Sequence, residues 1–105
     1  MTAKSTITQN DIAALDAQAR NDVLELLTSE SEECAYERAY ELEISAAMQL
    51  GFDGCNDNEE ICNAALDAQT HYWRSMRAAL KARESELSPG ALAYLRTIEA
   101  NTDVR

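Results

Sequence analysis

The chain is poor in the residues that turn a backbone sharply, with three glycines and one proline among 105 residues. That scarcity leaves little room for the tight turns an antiparallel sheet requires. Aromatic side chains make up only 6% of the chain, and alanine supplies much of the apolar content, so close helix packing is expected in place of a large ligand cavity. No apolar run approaches the roughly 20 residues of a membrane span. The start, Met1-Thr2-Ala3-Lys4-Ser5-Thr6, lacks the apolar stretch of a secretory signal, so a cytoplasmic location is expected.

Chemistry-bearing residues are also few. Cys34, Cys55 and Cys62 are odd in number and lack CxxC spacing, which suits reduced thiols better than a disulfide framework or a zinc site. Cys34 and Cys62 fall in helical pattern and read as small core residues, while Cys55 falls in a loop and reads as the reactive one. His71 is the sole histidine, and its place on the helical wheel is off the apolar arc. There is no Gly-rich phosphate loop and no GxSxG, so the usual parts of nucleophilic or metal catalysis are missing and no enzyme, cofactor or metal is expected. The loop after Gly51 gathers oxygen-bearing side chains, yet an EF-hand counted from Asp53 would need glycine sixth and glutamate twelfth, where Asn58 and Ala64 stand.

What the chain has is helical periodicity. In the stretch from Asn58 to Leu87, Ile61, Ala65, Ala68, Tyr72, Met76 and Ala79 recur at steps of three or four, and Leu66, Trp73, Leu80 and Leu87 at steps of seven. The two rows share an arc of roughly 160°, which predicts a central helix touching at least two neighbours. The spacing and capping signals predict an all-α, compact four-helix bundle with helices at 9–28, 30–50, 58–87 and 89–100, arranged as two helical hairpins around the long third helix. Residues 1–8 and 101–105 are expected to be flexible ends of a single domain. Thr8 with Asp11, Ser29 with Glu32, Asp57 or Asn58, and Ser88 followed by Pro89 supply the starts. Gly51 stops the second helix. Along that helix Ala35, Ala39, Leu42, Ala46 and Leu50 form one flank, and Tyr36, Tyr40, Ile44 and Met48 the other.

Length sets up a further expectation. A third helix of about 45 Å against partners of about 30 Å should overhang the first hairpin by roughly 15 Å. Leu80 and Leu87 lie on that overhang and are the candidates for self-association, as in a homodimer or scaffold. Three polar residues intrude on apolar arcs: Glu43, Gln69 and Arg83. An unpartnered buried carboxylate is costly, so Glu43 is expected to be paired within the bundle, and Trp73 to be a core residue.

Charge gives the functional expectation. The net charge is −10, and residues 30–60 carry ten acids against one base, Arg38. Direct nucleic-acid binding is disfavoured, because a phosphate backbone would be repelled. Pairing of the acids of the second helix with Arg74, Arg77 and Lys81 would neutralise part of the segment. Those left over favour a larger protein partner with a basic surface, such as one that handles nucleic acid. Glu37, Glu41, Asp53, Asp57, Glu59 and Glu60 are the expected contacts, with Tyr40 as an apolar anchor. In charge and size, though by no motif, the chain resembles small acidic helical proteins that act by docking: immunity proteins, anti-restriction and anti-CRISPR inhibitors, and nucleic-acid mimics.

Overall fold

Four capping side chains set where the helices begin. In the computed structural model, which describes residues 3–101, Thr8 Oγ1 accepts from the Asp11 amide and the Asp11 carboxylate accepts from the Thr8 amide, a reciprocal capping box that opens α1, Gln9–Asp22. Ser31 caps α2, Glu32–Gln49, accepting from Cys34 N. Asn58 caps α3, Glu59–Ala82, accepting from Glu60 N and Ile61 N. Ser88 caps α4, Pro89–Ala100, with proline at the position where a missing amide costs nothing. The chain is all-α, and among the described residues there is no strand.

The expected helix ends differ in three places. Ser29 does not cap α2; its hydroxyl donates to Leu26 O, closing the turn after a short 3-10 segment, Val23–Glu25, that ends the first helix early. The third helix stops at Ala82 and a 3-10 turn, Glu84–Glu86, follows, so its length is about 36 Å rather than the expected ~45 Å, still the longest beside α1 at about 21 Å and α2 at about 27 Å. A tertiary tie accounts for the break. Ser88 N donates to Leu27 O at 2.8 Å and Ser88 Oγ to Ser29 O at 2.7 Å, which draws the chain back across the end of α1. Gly90 makes this crossing possible: a Cβ there would stand 2.6 Å from Ser29 O and from Ser31 N.

α3 is the hub, touching the other three helices. Its most extensive partner is α1, whereas α2 lies chiefly against α4 and α3 and only lightly against α1. The expected close α1–α2 hairpin is therefore loose, because the alanine row of α2 is satisfied by α3 and α4. The core runs through Leu15 and Leu26, the alanines of α2, Tyr72, Met76 and Leu80 of α3, and Leu95 and Ile98 of α4. Leu80 is 0% exposed and Leu87 packs against the core, so neither offers the free apolar surface expected of it. Leu66, placed by its spacing on the buried arc, is exposed instead.

The amino-terminal segment is tied down at Lys4, whose amide donates to Gly51 O and whose ammonium sits 2.8 Å from Asp11 Oδ1 and over the Phe52 ring. Gly51 has φ +92°, the left-handed conformation that ends α2 at little cost for glycine. Residues 1, 2 and 102–105, part of the expected flexible ends, lie outside the described residues.

Candidate functional site

α2 carries two apolar rows and buries one of them. Ala35, Ala39, Leu42 and Ala46 face the core, their small side chains letting α2 approach its neighbours closely. One residue further round, Tyr36, Tyr40, Ile44 and Met48 form a ridge at four-residue spacing that the bundle leaves uncovered. Tyr36 is 58% exposed, Tyr40 52% and Met48 64%, with Ile44 half-buried. Beside this ridge, again at four-residue spacing, stand the exposed Glu33, Glu37 and Glu41.

The tyrosines are held by one another and by α4. The Tyr36 ring stacks on Tyr40 with centroids 6.5 Å apart, and meets the buried Tyr94 edge-on, also at 6.5 Å. Both geometries are favourable aromatic contacts. Between α2 and α4 they border a groove of about 650 Å³ lined by Glu32, Glu33, Tyr36, Tyr40, Trp73, Tyr94, Thr97, Ile98 and Asn101. A second depression of about 580 Å³ continues past Tyr40 along Glu41, Ile44 and Met48. Tyr40 belongs to both, so the two form one apolar track along α2. A groove of this size departs from the expectation of close packing alone: the few aromatics are concentrated, three of the four tyrosines and the single tryptophan lining it. Trp73 is buried at its floor, with the Arg77 guanidinium 5.1 Å from the ring centroid.

The expected neutralisation of α2 by the end of α3 does not occur at Lys81. That lysine pairs with Glu84 and Glu99, and Arg96 with the same two acids, so these bases are engaged at the α3–α4 end. Their carboxylate and cation partners hold Glu84 below and Lys81 and Arg96 above their ordinary values. The one base of the acidic segment, Arg38, points about 200° round α2 from Tyr36. It is bound by Glu25 and Glu41, the Glu25 contact being the main cause of its raised pKa. Among the described residues, no cation is within ion-pair reach of Glu30, Glu33, Glu37, Asp57, Glu59 or Glu60.

The residues singled out from sequence separate into two groups. Glu37, Glu41 and Tyr40 share the outer side of α2. Asp57, Glu59 and Glu60 are exposed where the α2–α3 loop enters α3. Asp53 is half-buried and serves the loop itself, accepting from Cys55 N and Asn56 Nδ2. Sequence reasoning missed Tyr36, Tyr94 and Glu33. The signal for Tyr36 was present in the four-residue spacing of the second row, since one helix cannot bury two rows against a thin bundle.

Buried polar groups serve the fold. Tyr72 donates its hydroxyl to Asp22 Oδ2 at 2.7 Å and Gln18 Nε2 donates to Oδ1 at 2.8 Å, deep between α1 and α3. Burial first, then the Asp22 contact, pushes the Tyr72 phenol far above its usual range, so it stays a donor. Glu43 is 3% exposed beside Ala39, Trp73 and the tyrosines, and it too raises Tyr72. Gln69 and Arg83 are only half-buried, and Arg83 pairs with Glu86. Cys34 is exposed, contrary to its expected place in the core, because it lies in the first turn of α2 about 100° round from the buried Ala35; Cys55 is exposed and Cys62 half-buried. His71 is half-buried. Among the described residues, no three His, Cys, Asp or Glu side chains converge as a metal set, and no helix is long and apolar enough to cross a membrane. Comparison with protein-family models, with curated proteins and with solved structures finds no match to this chain.

Proposed function

We propose that this protein is a non-catalytic docking module that binds a basic surface of a larger, nucleic-acid-handling protein and blocks it by occupation. The observation that carries the reading is the set of exposed acids Glu30, Glu33, Glu37, Asp57, Glu59 and Glu60, which have no cation partner among the described residues. A dense negative face accelerates encounter with a positive groove and competes for the sites that would hold phosphates. This is the mode of action of an immunity-type, anti-restriction or anti-CRISPR antagonist. It belongs in the cytosol, where Cys34, Cys55 and Cys62 would remain the free thiols they are here.

A self-associating scaffold is the competing reading, and its expected contacts, Leu80 and Leu87, are turned into the core. Among the described residues the most extended exposed apolar row left for it is the α2 ridge, where two copies would bring like charges together.

The test is affinity capture from host lysate with the parent protein and with a variant in which Glu37, Glu41, Asp53, Asp57, Glu59 and Glu60 are changed to Gln or Asn. Capture should be lost in the variant and reduced by added DNA or RNA. Undiminished capture by the variant, with no competition from nucleic acid, would overturn the proposal.

A further inference from the structure

We infer that the element seated on α2 is a basic amphipathic helix of the partner, its apolar face on Tyr36, Tyr40, Ile44 and Met48 and its lysines or arginines against Glu33, Glu37 and Glu41. The inference rests on the docking function proposed above and names the chemistry of the partner. It separates two kinds of basic surface: a polar groove built for phosphates, and a helix that is basic on one flank and apolar on the other.

Charge density argues against the first. Duplex DNA presents about one charge per 1.7 Å, or about ten over the roughly 18 Å from Tyr36 to Met48. Over that length the exposed row supplies two acids, Glu37 and Glu41, with Glu33 one turn before it, and the strip beside them is aromatic and aliphatic. A protein groove shaped for phosphates would set hydrated cations against Tyr40 and Met48 and lose their water without compensation.

Each feature of the track has a counterpart on an amphipathic helix. The ridge is about three turns long, the length over which a helix repeats an apolar face at steps of three and four. Its acids recur every four residues, so cations spaced three or four apart on an opposing helix meet them in register. The depressions on either side of Tyr40 receive apolar side chains. Exposed tyrosine rings also attract the lysine or arginine heads passing over them. The basic side chain on α2, Arg38, bridges Glu25 and Glu41 at the far edge of the acidic row, so a partner cation at Glu41 shares that carboxylate with Arg38, while Glu33 and Glu37 have no cation partner among the described residues. A second copy of the chain is a poorer occupant, because its own Glu33, Glu37 and Glu41 would face these.

The probes are two synthetic 16-residue peptides of identical composition: one with Leu and Phe on one helical face and Lys and Arg on its flanks, the other scrambled so that no face is apolar. Binding is followed by Trp73 fluorescence and by calorimetry. The amphipathic peptide should bind at least about tenfold more tightly than the scrambled one. Tyr40→Ala with Met48→Ala should abolish that preference, and because both side chains are exposed, the variant's circular dichroism should match the parent's. Glu33→Gln, Glu37→Gln and Glu41→Gln together should weaken both peptides and flatten the salt dependence. Equal binding of the two peptides would overturn the inference while leaving a basic partner in place. Binding of neither would also overturn it, and lysate capture by the six-acid variant then decides the docking function separately. Ridge-dependent dimers of the protein itself would assign the track to a second copy and overturn it as well.

Discussion

Asp11, Asp22 and Glu43 are acids the fold buries, and the first two are stabilised in different ways. Asp22 depends on neutral donors, Tyr72 and Gln18, each such bond contributing about 1 kcal/mol when made and costing more if its partner is removed. Asp11 depends on a cation. The Lys4 ammonium, followed by the Thr8 amide, lowers its carboxyl below the usual value. Because the folded pKa is depressed, this stabilisation is present above the unfolded value of about 3.9 and is lost as pH falls through the folded one. Asp11→Asn should therefore lower the urea midpoint at pH 7, by about 1 kcal/mol in stability if the cap dominates. The gap to the parent should narrow when the same titration is run near pH 3. Glu43 was legible as an intruder on an apolar arc. Asp11 and Asp22 were not read as buried, because capping and the end of a helix are ordinary places for exposed aspartate, and only the arrival of Lys4 and Tyr72 buries them.

Helix existence was legible wherever a cap and a repeating apolar row agreed, as at Thr8, Asn58 and Ser88. Helix ends were not, because they are decided by contacts made from far along the chain. The third helix has the composition to continue past Ala82, yet Ser88 bonded to Leu27 and Ser29 requires the chain to turn first. Gly90 is the sharpest expression of this. Nothing around it in sequence distinguishes it from any glycine in a first turn, but a methyl group there would run into the backbone of Ser29 and Ser31. Since backbone cannot rotate away, Gly90→Ala should cost about 1–3 kcal/mol or more, although alanine favours helix elsewhere. Thermal or urea unfolding of that variant checks it, with Ala93→Gly in the same helix as the contrasting change.

The long axis of the molecule is 41 Å and the other two are 22 Å, so α2 runs along much of one side of a narrow rod. Its two rows were both visible in sequence; which one the bundle would cover was not, since that depends on α4 folding back between α2 and α3. At this scale the acidic flank governs self-association. Two copies meeting ridge to ridge would confront glutamate with glutamate at low ionic strength, a repulsion that salt screens within about 10 Å at 0.1 M. Light scattering should report a monomer across concentrations in low salt, and any dimer should appear first at high salt or in acid. A stable dimer in low salt would show that the ridge overcomes its flank.

The crossing of Gly90 over the Ser29–Ser31 backbone also has a kinetic side. It joins residues about 60 apart, and closing such a loop costs about 3–4 kcal/mol of chain entropy before any contact is gained. The α1–α3 contacts span a comparable separation and form the most extensive helix pair, so they are expected to repay the closure sooner. Docking of α4 is then expected to come late in folding and to be lost early in unfolding, which hydrogen exchange of the α4 amides would check. One wall of the tyrosine groove is α4, so on that order the groove would be assembled last and open first, and a partner bound across it would slow the departure of α4.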